Sequence, residues 1–276
     1  MRGIKTQTLA RKHPCFFSEA KGRYGRIHLP VAPSCNIQCA YCRRDYECVH
    51  ENRPGATNGV IGPEEALDRF ERALKIMPRI AVVGIAGPGD AFCDPELTLK
   101  TFELIRRRHS EIELCVSSNG LNVKDHIKAL RDLKTRFITI TINAIDPGVG
   151  ARLYKMIKHK GGVLKKTAAA KLLIERQLEA VLLLKKNGFI VKVNSVVIPG
   201  INDDHILFLA KRMGRLGVDL MNLLPIIPLP GTDMSGIDPP SPSRMRRLRE
   251  KAGMDVPQMR HCARCRSDAA GYLADP

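Results

Sequence analysis

The residues best suited to chemistry are three cysteines on one short stretch, Cys35-Asn36-Ile37-Gln38-Cys39-Ala40-Tyr41-Cys42, a CxxxCxxC pattern with an aromatic before its last member. Iron-sulfur clusters take cysteine thiolates and ordinarily four of them, so three on one loop leave an iron for another ligand. The rival is a tetrahedral zinc site, which needs a fourth ligand such as Cys48. Haem attachment is excluded, because Arg43 and not a histidine follows the CxxC. The remaining cysteines are Cys15, Cys48, Cys93, Cys115, Cys262 and Cys265, with His13, His28 and His261 close to several of them. The pair in Cys262-Ala263-Arg264-Cys265 cannot complete a site alone and must recruit a partner, for which Cys15 at the other end is available.

These residues are positioned by alternating strand-like and helix-like runs. Strands are expected at 25–32, 80–86, 113–117, 137–143, 190–198 and 218–225, each short, rich in Val, Ile or Leu, and closed by Gly, Pro, Asn or Ser. Helices are expected between them at 63–76, 95–108, 124–133, 171–186 and 203–216. Six βα rounds are two short of a complete eight-stranded barrel, so the fold class is α/β, a partial (β/α)6 TIM-like barrel with its chemistry at the C-terminal strand ends. Residues 1–276 read as one domain: an N-terminal arm over 1–21, a barrel core over 22–227, and a C-terminal arm over 228–276. Prolines at 228, 230, 239, 240 and 242 suggest that the last arm is an extended wrap.

Composition narrows the function classes. Nine cysteines in short clusters, with no export signal, suit metal ligation better than a disulfide framework. No apolar stretch approaches the roughly 18 residues of a spanning helix, so a cytoplasmic protein with no membrane partner is expected. The formal charge of +17 attracts nucleic acid, acidic proteins or anionic small molecules. With no Trp, five Tyr and eight Phe, the aromatic-basic interleaving that stacks unpaired bases is absent, which makes nucleic acid a poor candidate.

The cysteine loop resembles that of the radical SAM superfamily, in which the amino and carboxylate groups of S-adenosylmethionine (SAM) chelate the open iron of a 4Fe-4S cluster. Later strand ends match as well. Ala86-Gly87-Pro88-Gly89-Asp90 stands where the superfamily carries a Gly-rich turn for the methionine amino group. Ser117, Asn119, Asn143, Asn194 and Asn222 place small polar groups at successive strand ends.

Nearly end to end, the sequence resembles the NifB family, the radical SAM enzymes that build the core of the nitrogenase cofactor. The resemblance is carried by His13-Pro14-Cys15, Tyr24-Gly25-Arg26-Ile27-His28, the CxxxCxxC loop, Glu51-Asn52-Arg53-Pro54 and the Gly-rich turn. It continues through Thr139 to Asn143, Asn222 to Pro225 and Cys262 to Gly271. It implies three 4Fe-4S clusters with three protein ligands each. Cys35, Cys39 and Cys42 would hold the SAM cluster, His28, Cys48 and Cys115 a second, and Cys15, Cys262 and Cys265 a third. Cys93 is left over as a thiol without a ligand role, or equally as a small buried hydrophobe. His28 and Cys115, read alone, are ordinary packed strand residues.

The resemblance further implies that one SAM donates a methyl group to cluster sulfur and another is cleaved to a 5′-deoxyadenosyl radical. The two auxiliary clusters then fuse around the carbon, with one added sulfur, into an 8Fe-9S-carbide product. Glu51 and Arg53 would position the second cluster or manage a proton, with a surface ion pair as the plainer reading. Asn143 would aim its amide into the barrel mouth. Implied partners are SAM, an electron donor, and a carrier or scaffold protein, since a C-terminal carrier-like domain is not expected here. Lys155, Lys158, Lys160, Lys165, Lys166 and Lys171 mark a candidate docking face, although a solvated basic loop explains them more simply. The rivals are a radical SAM enzyme that modifies RNA or a peptide, a zinc-stabilised nucleic-acid module, and a passive cluster scaffold.

Overall fold

The structure, a computed structural model, describes residues 11–43 and 53–273. Six parallel strands stand in chain order: β1 (Gly25–His28), β3 (Ile80–Ile85), β4 (Glu113–Ser118), β5 (Phe137–Thr141), β8 (Ile190–Val197) and β9 (Leu220–Pro225). A short seventh, β10 (Ala270–Tyr272), adds antiparallel beside β1. The curled sheet is the expected partial barrel. Its strands alternate, because the outer face is filled with apolar packing and the inner face only at one end, around Phe16, Val82 and Phe137. Ile27, Val83, Ile85, Leu114, Val116, Ile138, Ile140, Val191 and Val193 point outward and are fully buried under the helices. The inward positions between them are polar or small and line a cavity.

The covering helices are α1 (Pro63–Ile76), α2 (Pro95–Arg108), α3 (Ile127–Asp132), α4 (Pro147–Leu153), α5 (Lys166–Lys186) and α6 (Ile206–Arg215). Helices α1, α2 and α4 begin on a proline whose missing N–H would have had no helical partner. The helix expected at 124–133 starts as a 3-10 turn over Val123–His126, and the one expected at 171–186 reaches back to Lys166. A further helix, α7 (Pro242–Ala252), lies in the expected extended wrap. Ser241 caps it by accepting from the Arg244 amide at 3.2 Å, and Pro242 is its first residue rather than a breaker.

The lysine-rich segment after β5 is also not a plain loop. It forms a hairpin, β6 (Tyr154–His159) and β7 (Gly162–Lys165), and β6 pairs antiparallel with β2 (Ile37–Cys39), which lies inside the cysteine loop. The loop is thus a strand of a second, three-stranded sheet. The hairpin was invisible to strand periodicity, because β6 buries only Tyr154 and Ile157, three residues apart, and every residue of β7 is exposed.

The two arms close the barrel. From the N-terminal arm, His13 and Phe16 pack on Phe137 with ring centroids 4.6 and 4.9 Å away, plugging the N-terminal end of the sheet. The tail starts along β9, where Met221 donates to the Pro257 carbonyl and Met259 to the Met221 carbonyl, both at 2.8 Å. It finishes as β10 on β1, so residues 260–269 strap one open edge of the sheet to the other. His261 Nε2 donates to the Pro14 carbonyl at 2.9 Å and joins the arms.

The root of the cysteine loop is fixed by backbone contact. Gly89 donates to the Ala32 carbonyl at 2.7 Å and Asp90 to the Ser34 carbonyl at 2.8 Å. A Cβ on Gly89 would lie 2.0 Å from the Ser34 carbonyl oxygen, which is main chain and cannot swing aside. Gly89→Ala is therefore expected to cost about 3 kcal/mol and to lower the melting temperature of the metal-free protein by roughly 6–12 °C. Circular dichroism melting checks this, and an unchanged melt would show that residues 32–34 yield without cost.

Candidate functional site

Inside the sheet is a cavity of about 330 Å³. Its walls carry Cys35, Cys39 and Cys42 from the loop, His28 and Cys115 from the strands, and Cys15, Cys262 and Cys265 from the two arms. Every expected ligand within the described residues therefore faces one space. Cys48 and Glu51 lie outside the described residues. None of the eight described cysteines is in a disulfide.

Strand register sets two of these side chains apart by a deliberate gap. Gly84 of β3 pairs with His28 on one side and Cys115 on the other, so the row reads His28, Gly84, Cys115. A Cβ on Gly84 would meet the His28 ring at 3.1 Å on Cδ2 and 3.7 Å on Nε2. Any larger residue would fill the space between histidine and thiol. His28 Nδ1 donates to the Arg266 carbonyl at 3.0 Å, which leaves Nε2 as the lone-pair nitrogen. Burial lowers the His28 pKa to about 4, so the ring is neutral near pH 7 and Nε2 is available to a metal. Burial likewise pushes the Cys115 thiol up to about 12 and the Cys15 thiol upward. Buried thiolates of that kind need cationic or metallic company.

The cysteine loop is held from three sides. The β2–β6 pairing secures one, with the Ala40 amide donating to the Leu153 carbonyl at 2.8 Å. On the second, Asn119 Nδ2 donates to Asn36 Oδ1 at 2.7 Å and lies 3.8 Å from Cys35 Sγ. On the third, the Tyr41 hydroxyl accepts from Asn143 Nδ2 at 2.7 Å. Burial, and then the neighbouring Cys39 thiol, holds that phenol protonated.

Several expected cofactor contacts are bonded to neighbouring protein groups. Asn143 is wholly buried, off the cavity wall, and its Oδ1 accepts from the Val196 amide at 2.8 Å. It anchors Tyr41 to β8. Asp90 reaches the cavity wall, but its carboxylate accepts from the Phe92 amide, the Ser118 hydroxyl and the Asn119 amide at 2.9, 3.0 and 2.5 Å. It ties the Gly-rich turn to the end of β4. Gly87 sits in that turn behind the wall, where a Cβ would meet Ser267 Oγ at 2.8 Å. Arg53 is buried and donates to the Arg43 carbonyl at 3.3 Å, bracing the chain after Cys42. Gly89, Ser117, Asn119, Asn194 and Asn222 do face the cavity. Cys93 lies elsewhere, half-buried in an open depression beside His126 and the 158–163 turn.

The site also contains residues that the sequence reading passed over. Arg26 and Lys192 are buried cations on the cavity wall. Arg26 donates to Cys265 Sγ at 2.8 Å, and Lys192 to the Cys15 carbonyl at 3.4 Å. Their signal was available: Arg26 alternates with His28 on β1, and Lys192 with Asn194 on β8, in the inward phase of each strand.

The cavity fits iron-sulfur clusters and a polar small molecule. Its thiols ring a space instead of converging, and among the described residues no three His, Cys, Asp or Glu side chains close on one ion. His13 Nε2, Arg26 Nε and Asn222 Oδ1 are buried on its walls without a protein partner, as expected where a ligand completes the bonding. Among the described residues, no helix is long and apolar enough to cross a membrane.

Comparison with known proteins agrees with this geometry. Residues 29–213 match the model of the radical SAM superfamily. The FeMo cofactor biosynthesis protein NifB of Chlorobaculum tepidum is 46% identical over 265 residues, which is 96% of this chain and 62% of that protein. The corresponding protein of Frankia alni is 39% identical over 271 residues, 95% of this chain and 53% of its own. The chain thus spans only 62% and 53% of the lengths of these two relatives. Among solved structures, Streptococcus suis SuiB bound to S-adenosylmethionine superposes with a TM-score of 0.56 at 15% identity, over 94% of this chain and 56% of SuiB, a likeness of fold. By its cysteine loop, its open barrel and the matching family model, the chain belongs to the radical SAM superfamily, and within it the NifB proteins are its relatives over 96% of its length.

Proposed function

We propose that this protein is a radical SAM enzyme of nitrogenase cofactor assembly that takes two 4Fe-4S clusters as substrates and joins them around a SAM-derived carbon. The observation that carries this reading is the single cavity on which the loop cysteines, the His28–Cys115 pair and the Cys15–Cys262–Cys265 triad all open. Two further ligand sets beside the loop cysteines, around one cavity, suit the union of two clusters.

Cys35, Cys39 and Cys42 would hold the resident cluster, which when bound supplies the electron that cleaves SAM. Asn194 and Asn222 would bind polar groups of SAM, through the Asn222 Oδ1 that has no protein partner. Asn119, Asn143 and Tyr41 keep the loop in place while this happens. The substrate clusters would sit on His28, Cys48 and Cys115, and on Cys15, Cys262 and Cys265. Three protein ligands for four irons leave each substrate cluster weakly held, as a group destined to leave must be. The balance is two 4Fe-4S units, one carbon from the SAM methyl group and one added sulfur, giving an 8Fe-9S-carbide product. The enzyme would act in the cytoplasm with an external electron donor and pass its product to a carrier or scaffold protein.

After anaerobic reconstitution, about twelve irons per chain are expected, and SAM with dithionite should yield both 5′-deoxyadenosine and S-adenosylhomocysteine. About four irons with 5′-deoxyadenosine alone would leave a radical SAM enzyme of another kind. Cys115→Ala should hold about eight irons, still cleave SAM to 5′-deoxyadenosine, and form no 8Fe product. Iron analysis with chromatography of the nucleosides reads both, and a full iron complement in Cys115→Ala would remove it from the ligand set.

A further inference from the structure

Lys192 is anomalous for its place in the sheet. It stands in the middle of a parallel strand, 7% exposed, on the inner face of the sheet. Buried ammonium groups are ordinarily paired with a carboxylate, because removing a charge from water is costly. Here the partners among the described residues are the Cys15 carbonyl at 3.4 Å and the face of the Phe16 ring, 4.7 Å from its centroid. Neither carries a formal charge. Asp90, the sole carboxylate among the described residues of the cavity wall, is occupied by three protein donors.

Register places this charge. Lys192 pairs with Thr139, which pairs with Ser117, one inward step above the row that holds Cys115, Phe137 and Ile190. Through its bond to the Cys15 carbonyl it also touches the N-terminal arm, which carries one thiol of the other set. Its ammonium lies over the Phe16 ring, and Phe16 packs in one apolar group with Cys115 and Phe137, so the charge stands close to the strand thiol as well as to the arm. One ammonium thus acts on both groups of thiols at once.

We infer that Lys192 is a positioning residue whose fixed positive charge is shared by the two auxiliary cluster sites, holding two anionic iron-sulfur clusters side by side in one cavity. The inference rests on the three-cluster reading above. Two thiolate-ligated clusters repel one another, and a cation between their ligand sets offsets that repulsion most strongly when the clusters are adjacent. Arg26 adds charge from β1, two residues from His28 and with its guanidinium on Cys265 Sγ. Lys192 adds it from β8, on the opposite side of the Cys115–Phe137 row.

The test compares the reconstituted full chain with Lys192→Gln, which keeps a donor for the Cys15 carbonyl but loses the charge, and with Lys192→Arg, which keeps the charge. Iron per chain and midpoint potentials of the clusters, followed by electron paramagnetic resonance, are the readouts. Lys192→Gln should lose auxiliary iron, toward about eight or fewer per chain where the parent holds about twelve, and what remains should titrate at a more negative potential. Lys192→Arg should restore both. Melting of the metal-free variants reports whether the arm still docks. Parent-like iron and potential in Lys192→Gln would overturn the inference, as would equal loss in both variants, which would mark a purely structural lysine. A parent chain with only about four irons would instead overturn the three-cluster reading itself.

Discussion

The site depends on a sheet that leaves most of its inner face unpacked. In a closed eight-stranded barrel the inward side chains fill the interior in layers. Here six parallel strands leave an open edge, and beyond one small apolar group of Phe16, Val82, Cys115 and Phe137 their inward positions hold His28, Gly84, Ser117, Thr139, Lys192 and Asn194. The outward positions carry the folding energy instead, through the Val, Ile and Leu residues buried under the helices. Because neighbouring residues of one strand point to opposite faces, stability and chemistry occupy alternate positions of the same short segments. A one-residue slip in β4 would bury Ser117 in the helix layer and carry Cys115 away from the cavity.

That division explains why both arms are needed. An open sheet exposes two edges and an unfilled end, which would leave any cavity inside it wet. The N-terminal arm fills the end with His13, Phe16 and Phe17 around Phe137, and the tail joins the edges by pairing with β9 and then with β1. Each closing segment carries cysteine where it crosses the interior. The docked arms bring those thiols to the strands, and a metal group held by Cys15, Cys262 and Cys265 would draw the arms together, so that its binding would contribute to folding directly.

The scaffold and the cysteines that gather round the cavity were legible in the sequence, but not their supports. Five of the expected helices and all six parallel strands are present, because apolar alternation and Pro- or Gly-marked ends follow local rules. The hairpin at 154–165 escaped notice since its value lies in pairing with β2, a non-local contact, while its own side chains are mostly solvated. The helix at Pro242–Ala252 was hidden by prolines that flank it. Asp90 and Asn143 were expected to face a cofactor because polar residues at strand ends often do. Their roles follow from partners that spacing cannot reveal: the Phe92 and Asn119 amides for one, Tyr41 for the other.

His28 shows how these layers meet in a single side chain. Read alone, a histidine in a strand is a packed residue, and this one is indeed enclosed. Burial keeps it neutral, the Arg266 carbonyl fixes its proton on Nδ1, and glycine at position 84 leaves the space over Nε2 empty. Arg266 belongs to the tail and Gly84 to the neighbouring strand, so the tautomer is set by the strap and the vacancy by the sheet. Neither alone would make a ligand. A protonated ring could not coordinate metal, the other tautomer would turn a proton toward it, and a larger residue at 84 would close the gap to Cys115.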